Sequence, residues 1–353
     1  MKRFTEAEKQ RVKERNPISS VIGKYVEWDR RKTQPSKGDF WACCPFHAEK
    51  RPSFHCDDRR GHYKCFGCGA SGDQIKFLME LHSIPFVEAM EQLGGEAELE
   101  PLSPERLAAD KAAREKRQKQ WEEDQRKDEH ARLEVAKELW GEARLIEGTI
   151  AEDYLRNRVK GLTGALPDVL RFHPKAFLSR GEYHSALVAL VQGVDGQQVG
   201  TWRIFLDAKG QNLRDADGQK IKKGLGPCGG GAVRLHPPEN GSHIAVCEGI
   251  ETAFGVHLLT GSPVWACRTA NGLSGFDIPF EIDRLSIYPD ADKWKWQSDK
   301  AKWLDPTGRR EALKLAEKAV ASHITVTMQQ EPRPGRDFLD LSNREAERRE
   351  VAA

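Results

Sequence analysis

Apolar residues change their spacing several times along the chain, and each change marks a different kind of element. Ile18, Val21, Ile22, Tyr25 and Val26 form a short amphipathic stretch, and Ile75, Phe77, Leu78 and Leu81 fit helical spacing better than alternation. Residues 103–139 are different: Ser103 is a good N-cap, Pro104 suits the first helical position, and Ala, Glu, Lys, Arg and Gln dominate thereafter. Apolar positions are too sparse there for a core stripe, so a solvated helical linker is expected. From about 140 the chain turns globular again. Residues 187–194 and 200–207 read as strands with turns at Asp195-Gly196 and Lys209-Gly210. From 243 onward, apolar strands (243–247, 263–267, 284–288, 323–327) alternate with helical patterns at 251–259 and 309–321. That rhythm predicts a mostly parallel sheet.

The expected architecture is therefore α/β and multidomain. It comprises a small N-terminal domain over 1–98, whose close Cys and His pairs (Cys44, His47, Cys65, Cys68) make it zinc-ribbon-like, and a charged helical linker over 99–140. An α+β subdomain over 141–242 and an α/β domain with a mostly parallel sheet over 243–345 complete it. With 353 residues, two or three domains are a natural size. Lys plus Arg number 56 against 54 Asp plus Glu, a net charge of +2 that neither requires nor excludes nucleic acid. Charge is segregated, however: basic residues sit beside aromatics in the first third, and the acids that look functional lie in the last. The N-terminus has no signal-peptide pattern and no stretch approaches ~20 apolar residues, so a cytoplasmic protein with no membrane span is expected.

Five of eight cysteines fall between Cys43 and Cys68, a clustering that in a reducing compartment favours metal over disulfides. Cys44-x2-His47 and Cys65-x2-Cys68 are two close pairs separated by a loop, the layout of a structural, closed zinc site. Cys43, His55, Cys56 and His62 are nearby alternatives; the set Cys44, His47, Cys65 and Cys68 is preferred because both pairs share one spacing. Trp41, Phe54, Tyr63 and Phe66 are interleaved with Lys50, Arg51, Arg59, Arg60 and Lys64. Aromatics that stack bases and cations that meet phosphates are the chemistry of single-strand binding. Packing around the metal is the competing use for Phe46, Phe54 and Phe66.

The run Cys44-Pro-Phe-His-Ala-Glu-Lys-Arg-Pro-Ser-Phe54, with Tyr63-Lys-Cys-Phe-Gly-Cys-Gly-Ala-Ser-Gly-Asp73, resembles the CHC2 zinc-binding domain of DnaG-type primases over roughly 18–95. In that family the module binds single-stranded template.

Glu248 follows one predicted strand, and Asp290-Ala-Asp292 follows another. Carboxylates converging at strand C-termini of an open α/β sheet can hold Mg²⁺ or Mn²⁺ through oxygen ligands. A solvated turn is the bland reading of Asp-x-Asp alone. Together the motifs resemble the TOPRIM fold over about 243–342, which implies catalytic and metal-binding roles for Glu248, Asp290 and Asp292. Glu251, Asp337 and Asp340 are candidates for supporting or helix-capping positions. Lys293 to Pro306 looks like an insertion that covers the site or contacts nucleic acid, with Trp294, Trp296 and Trp303 among lysines. The segment before it resembles the polymerase N-terminal subdomain of compact phage or plasmid primases. Arg203, Lys222, Lys223 and Arg234 are its candidates for holding triphosphate or template phosphates, against a plain solubility role.

The resemblance implies a primase that joins ribonucleoside triphosphates on single-stranded DNA beside a separate replicative helicase or replicon-encoded replication protein. No Walker A pattern is present: Gly229-Gly230-Gly231 lacks a following Lys-Ser/Thr. A metal-dependent nuclease and a nucleic-acid-binding adaptor with an inactive acid centre are the alternatives.

Overall fold

The computed structural model describes residues 4–49, 51–94, 104–179, 181–290, 295–297, 302–304, 307–330 and 337–352. It divides into two compact units, 1–123 and 124–353.

The first unit opens with helix α1 (Glu6–Arg15), whose N-terminus is closed by a reciprocal capping box between Thr5 and Glu8. Helix α2 (Ile18–Ile22) is the helical part of the amphipathic stretch. Four short strands, β1 (Asp39–Ala42), β2 (Phe54–Asp57), β3 (His62–Cys65) and β4 (Ser71–Gly72), make an antiparallel sheet in that order. Helix α3 (Gln74–His82) starts where Asp73 accepts the Lys76 amide at 2.9 Å, and α4 (Phe86–Gly94) follows. Alternation decides the sheet's faces. Phe54, Cys56, Tyr63 and Cys65 point into a core shared with Ile22 and Phe77, all at most 0 % exposed. Phe54 and Tyr63 stack there at 5.1 Å between centroids.

Helix α5 (Pro104–Glu142) runs across the division between the units. The sequence favours a wholly solvated linker ending near 140, yet the last turns are core. Ala136 is fully buried, and Leu139 is buried with Phe205 and Val188, because those turns supply small and aliphatic residues on one side.

In the second unit, β5 (Arg144–Leu145), β6 (Leu170–Ser179), β7 (Glu182–Gln192), β8 (Gln198–Leu206) and β9 (Lys222–Leu225) form an antiparallel sheet, with α6 (Ile150–Arg158) between β5 and β6. Beyond it come β10 (Val233–Arg234), β11 (His243–Cys247), α7 (Ile250–Thr260), β12 (Val264–Ala266), α8 (Ala270–Ser274) and β13 (Arg284–Tyr288). A two-stranded ribbon, β14 (Lys295–Gln297) and β15 (Lys302–Leu304), precedes α9 (Thr307–Ala321), β16 (Thr325–Met328) and α10 (Phe338–Ala352). The second sheet is ordered β10-β12-β11-β13-β16 and is parallel except at its β10 edge. Its inner strands β11 and β12 are buried on both faces, as their near-continuous apolar runs require, whereas the edge strand β16 is largely exposed.

Candidate functional site

Two hairpin-like knuckles bring Cys44, His47, Cys65 and Cys68 together, with one ligand atom from each within 4.8 Å of the others. Backbone amides feed the sulfurs: Phe46 N–H to Cys44 Sγ at 3.4 Å, and Gly67 and Cys68 N–H to Cys65 Sγ at 3.3 and 3.4 Å. Hydrogen bonding from Cys44, then Cys68, draws Cys65 strongly down toward the thiolate, while the same contact with Cys65 drives Cys44 up. Three thiols and one imidazole at this spacing fit tetrahedral zinc. Gly67 has no side chain for a physical reason: a Cβ there would lie 2.6 Å from His47 Nε2.

Glu49, which sequence reasoning passed over, organises this loop. Its carboxylate accepts the Cys44 amide at 2.6 Å and the Ser53 hydroxyl at 2.5 Å, and lies 3.3 Å from His47 Nε2. His47 Nδ1 is the nitrogen turned toward Cys65 Sγ, at 3.8 Å. A carboxylate behind a ligating imidazole fixes the ring's orientation and raises its basicity. The spacing Cys-x2-His-x-Glu was the available signal.

The outer face of this sheet carries one cross-strand row, Trp41, His55 and Lys64, set by the register of β1, β2 and β3. Trp41 lies 4.6 Å from His55 and stacks on Phe66 at 5.8 Å, 16° from coplanar. His55 Nε2 is held by Asp39 Oδ1 at 2.8 Å. Lys32 sits 5.2 Å over Trp41 and Lys64 5.5 Å over Phe66, which is 48 % exposed. Arg51 is exposed on the same unit, whereas Lys50 lies outside the described residues. Tyr63 corrects the expectation of a template-facing ring: it is fully buried and donates its hydroxyl to Glu80 at 2.8 Å. Strand alternation turned it inward with Phe54.

At the C-terminal edge of the parallel sheet, Cys247 pairs in register with Tyr288, so Glu248 and Asp290 leave adjacent strands side by side. Gly308, in the first turn of α9, measures their closeness. A Cβ on it would stand 3.0 Å from Glu248 Oε1 and 2.7 Å from the Asp290 carbonyl. The Glu248 carbonyl accepts the Arg268 amide at 2.6 Å. Arg268 itself adopts φ +76°, a conformation unusual for a side-chain-bearing residue, and its guanidinium donates to the Cys228 and Gly231 carbonyls at 2.7 and 2.9 Å. Nothing in the sequence pattern singled out Arg268 or Gly308. Two carboxylates at neighbouring strand ends offer the hard oxygen donors that a divalent cation takes. Asp292, the third expected acid, lies outside the described residues.

Asp337 caps α10: its Oδ1 accepts the Asp340 amide at 2.9 Å, and its own amide reaches Asp340 Oδ2 at 3.3 Å. Burial, then the Asp340 charge, pushes the Asp337 carboxyl up despite the hydrogen bond. Phe338 packs edge-on against Tyr288 at 5.0 Å, so this cap lies against the last residue of β13, two positions before Asp290.

The expected phosphate-binding cations are largely spoken for, which corrects that expectation. Arg203 is 3 % exposed, and its guanidinium donates to the Phe177 and Gly224 carbonyls. Arg234 donates to the Gly193 and Val194 carbonyls and lies 4.3 Å over the Trp265 ring. Lys222 pairs with buried Glu251 at 2.7 Å, and Tyr154 donates to the same oxygen at 2.5 Å. Burial opposes ionisation of Glu251, but Lys222 and the Tyr154 hydroxyl prevail and hold its carboxyl at about 2. Glu251 therefore joins α7 to β9 and α6 and is committed to that network. Lys223 reaches the Leu178 carbonyl at 3.4 Å and lines a cavity of about 480 Å³ with Glu182, His184 and Arg214.

Three families match successive parts of the chain: the CHC2 zinc finger at residues 4–106, a domain of unknown function (DUF7146) at 130–235 and the Toprim domain at 243–347. The chain thus joins a CHC2 zinc finger to an α/β Toprim domain through a third segment. Among curated proteins, it is 51% identical over 76 residues to the DNA primase of Helicobacter pylori strain J99, and 46% identical over 87 residues to that of Chlamydia trachomatis. Those alignments take in 22% and 25% of this chain but only 13% and 14% of the two relatives. Among solved structures, the zinc-binding and RNA polymerase domains of the Aquifex aeolicus primase align over 98% of this chain and 85% of theirs, at 18% identity and TM-score 0.36. The primase fragment of the bacteriophage T7 primase-helicase aligns over 87% and 95%, at 12% identity and TM-score 0.34.

Proposed function

We propose that the protein is a DNA primase that lays down short RNA primers on single-stranded DNA. One observation carries the reading: a CHC2 zinc finger and the Glu248–Asp290 carboxylate pair of a Toprim domain occur in one chain. In this reading the Trp41–His55–Lys64 row and Phe66 engage template, rings against bases and ammonium groups against phosphates. Zinc, held by Cys44, His47, Cys65 and Cys68, fixes the knuckles that carry this face.

Glu248 and Asp290, with Asp292, would hold magnesium or manganese. When bound, the cation supplies charge stabilisation for the α-phosphate and the departing pyrophosphate. The chain's own part is to keep the two acids side by side: parallel register sets their spacing, the Arg268 amide fixes the Glu248 backbone, and bare Gly308 leaves room for both. The 3′-hydroxyl of one ribonucleotide attacks the α-phosphorus of the next. A P–O bond forms as the bond to pyrophosphate breaks, and the hydroxyl proton passes to solvent. Ribonucleoside triphosphates, single-stranded DNA and a replicative helicase or replicon-encoded replication protein are the partners this reading requires.

The test is incubation of the full chain with single-stranded DNA, magnesium and labelled ribonucleotides. Short labelled RNA is expected from the native chain and none from Asp290→Ala, with template binding retained. Shortened DNA would indicate a nuclease, and binding without either product an adaptor.

A further inference from the structure

The register between β11 and β12 ends at Cys247 and Ala266, but two further amides extend the bonding. Cys267 N–H reaches the Cys247 carbonyl at 2.8 Å, and Arg268 N–H reaches the Glu248 carbonyl at 2.6 Å. The second bond fixes the peptide plane beside which the Glu248 side chain departs. Arg268 makes it from φ +76°, where a side chain is strained and glycine is not. A turn alone is better served by glycine, so the Arg268 side chain has to offset that strain through its own contacts.

Those contacts are of one kind. Nη2 donates to the Cys228 and Gly231 carbonyls at 2.7 and 2.9 Å, and the buried Nε has no partner among the described residues. A guanidinium bonded to neutral carbonyls acts as a rigid fork, not as a counter-charge. The carbonyls belong to loop 226–231, between β9 and β10. Left-handed backbone recurs in it, at Gly226, Cys228 and Gly230 (φ +93°, +46° and +67°). The loop is pressed onto the antiparallel sheet: a Cβ on Gly226 would lie 2.8 Å from the Gly200 Cα, and one on Gly231 2.8 Å from the Gln192 carbonyl. On its other side the Gly230 carbonyl accepts the Asp277 amide at 2.9 Å. Packed this closely, the loop is a firm anchor, and Arg268 joins it to the acid edge.

We propose that Arg268 is a positioning residue for the divalent-cation centre: its guanidinium, forked onto loop 226–231, holds the left-handed turn whose amide aims Glu248. This rests on the part of the primase reading that makes Glu248 and Asp290 cation ligands, and not on polymerisation.

The experiment titrates the zinc-loaded full chain with Mn²⁺, reading the free ion by electron paramagnetic resonance, for the native chain, Arg268→Gly, Arg268→Lys and Glu248→Gln. Thermal unfolding and primer synthesis are measured on the same samples. Arg268→Gly relieves the turn while removing the fork, so its melting temperature should stay near native. Its Mn²⁺ Kd should rise roughly tenfold or more, the scale on which metal sites weaken when the groups supporting a ligand are lost. Arg268→Lys keeps a donor for the two carbonyls and should recover most of the affinity. In primer synthesis Arg268→Gly should lower kcat at limiting Mg²⁺ and leave the template KM native. Native Mn²⁺ affinity in Arg268→Gly, or no recovery in Arg268→Lys, would overturn the positioning role. A collapsed melting temperature in Arg268→Gly would overturn it too, by assigning Arg268 to general stability. The expected Mn²⁺ results without primer synthesis by the native chain would keep the positioning role and retire the polymerase reading. Mn²⁺ binding indifferent to Glu248→Gln would retire the acid centre and this inference with it.

Discussion

Phe66 and Gly308 illustrate how one position is tied to one job. Phe66 is a large ring left half in water on a face already carrying Trp41 and Lys64. Removing a stacking ring costs about 1–3 kcal/mol per base, so Phe66→Ala should weaken single-stranded DNA binding about tenfold in fluorescence anisotropy, without loss of zinc. An unchanged affinity would remove this face from template recognition. Gly308→Ala should abolish most primer synthesis, because the new methyl would press on the Asp290 backbone at 2.7 Å. Template binding by the same variant should be native, which separates a disturbed acid pair from a misfolded chain. Residue types made the zinc ligands legible, since paired Cys and His at fixed spacing have few other uses. The same logic failed for Tyr63, Arg203 and Arg234. A ring or a cation in a sequence does not say which face of its strand it occupies, and alternation decided that.

Among elements, the parallel sheet was legible because its strands are short apolar runs separated by helical spacing. The ribbon β14–β15 was seen only as an insertion, since three-residue strands carry too few positions for a period. The C-terminal turns of α5 were misjudged for a related reason: two or three buried residues at one end vanish in the average of a 39-residue helix. The joint between α7, β9 and α6 is the place to test an element's attachment. Lys222→Met would strand the Glu251 carboxylate in a buried site, a loss of about 3 kcal/mol near neutral pH by analogy with other broken buried pairs. Because the folded carboxyl is held at about 2, below its usual 4.5, the stabilisation is present above that usual value and fades as acid approaches 2. Urea denaturation should therefore show a large deficit for Lys222→Met near neutrality and a smaller one in strong acid. A deficit independent of pH would mean that packing, and not charge, holds the joint.

At the scale of the whole molecule, two units with separate cores imply separate stabilities. The first has a small core bound up with four metal-ligating residues, and small domains of this kind depend on their metal for folding. The second has two five-stranded sheets and, among its described residues, no comparable cluster of cysteine and histidine ligands. Calorimetry should resolve two transitions, and a zinc chelator should abolish or lower the first while leaving the second within about a degree or two. A single transition, lost as one on chelation, would show the units to be thermodynamically one.

Helix α10 fastens this second unit from its far end. Its first turn comes so near α7 that a Cβ on Gly255 would lie 2.9 Å from the Leu339 Cα, while Asn343 takes the Lys160 amide and donates to the Arg158 carbonyl beside α6. During synthesis, then, α6 and α7 wait for a segment that leaves the ribosome almost 180 residues after α6 does. Until it arrives, the helix directly behind Glu248 has a bare apolar flank, and a message cut short before Phe338 would yield a chain prone to aggregate instead of a weaker enzyme.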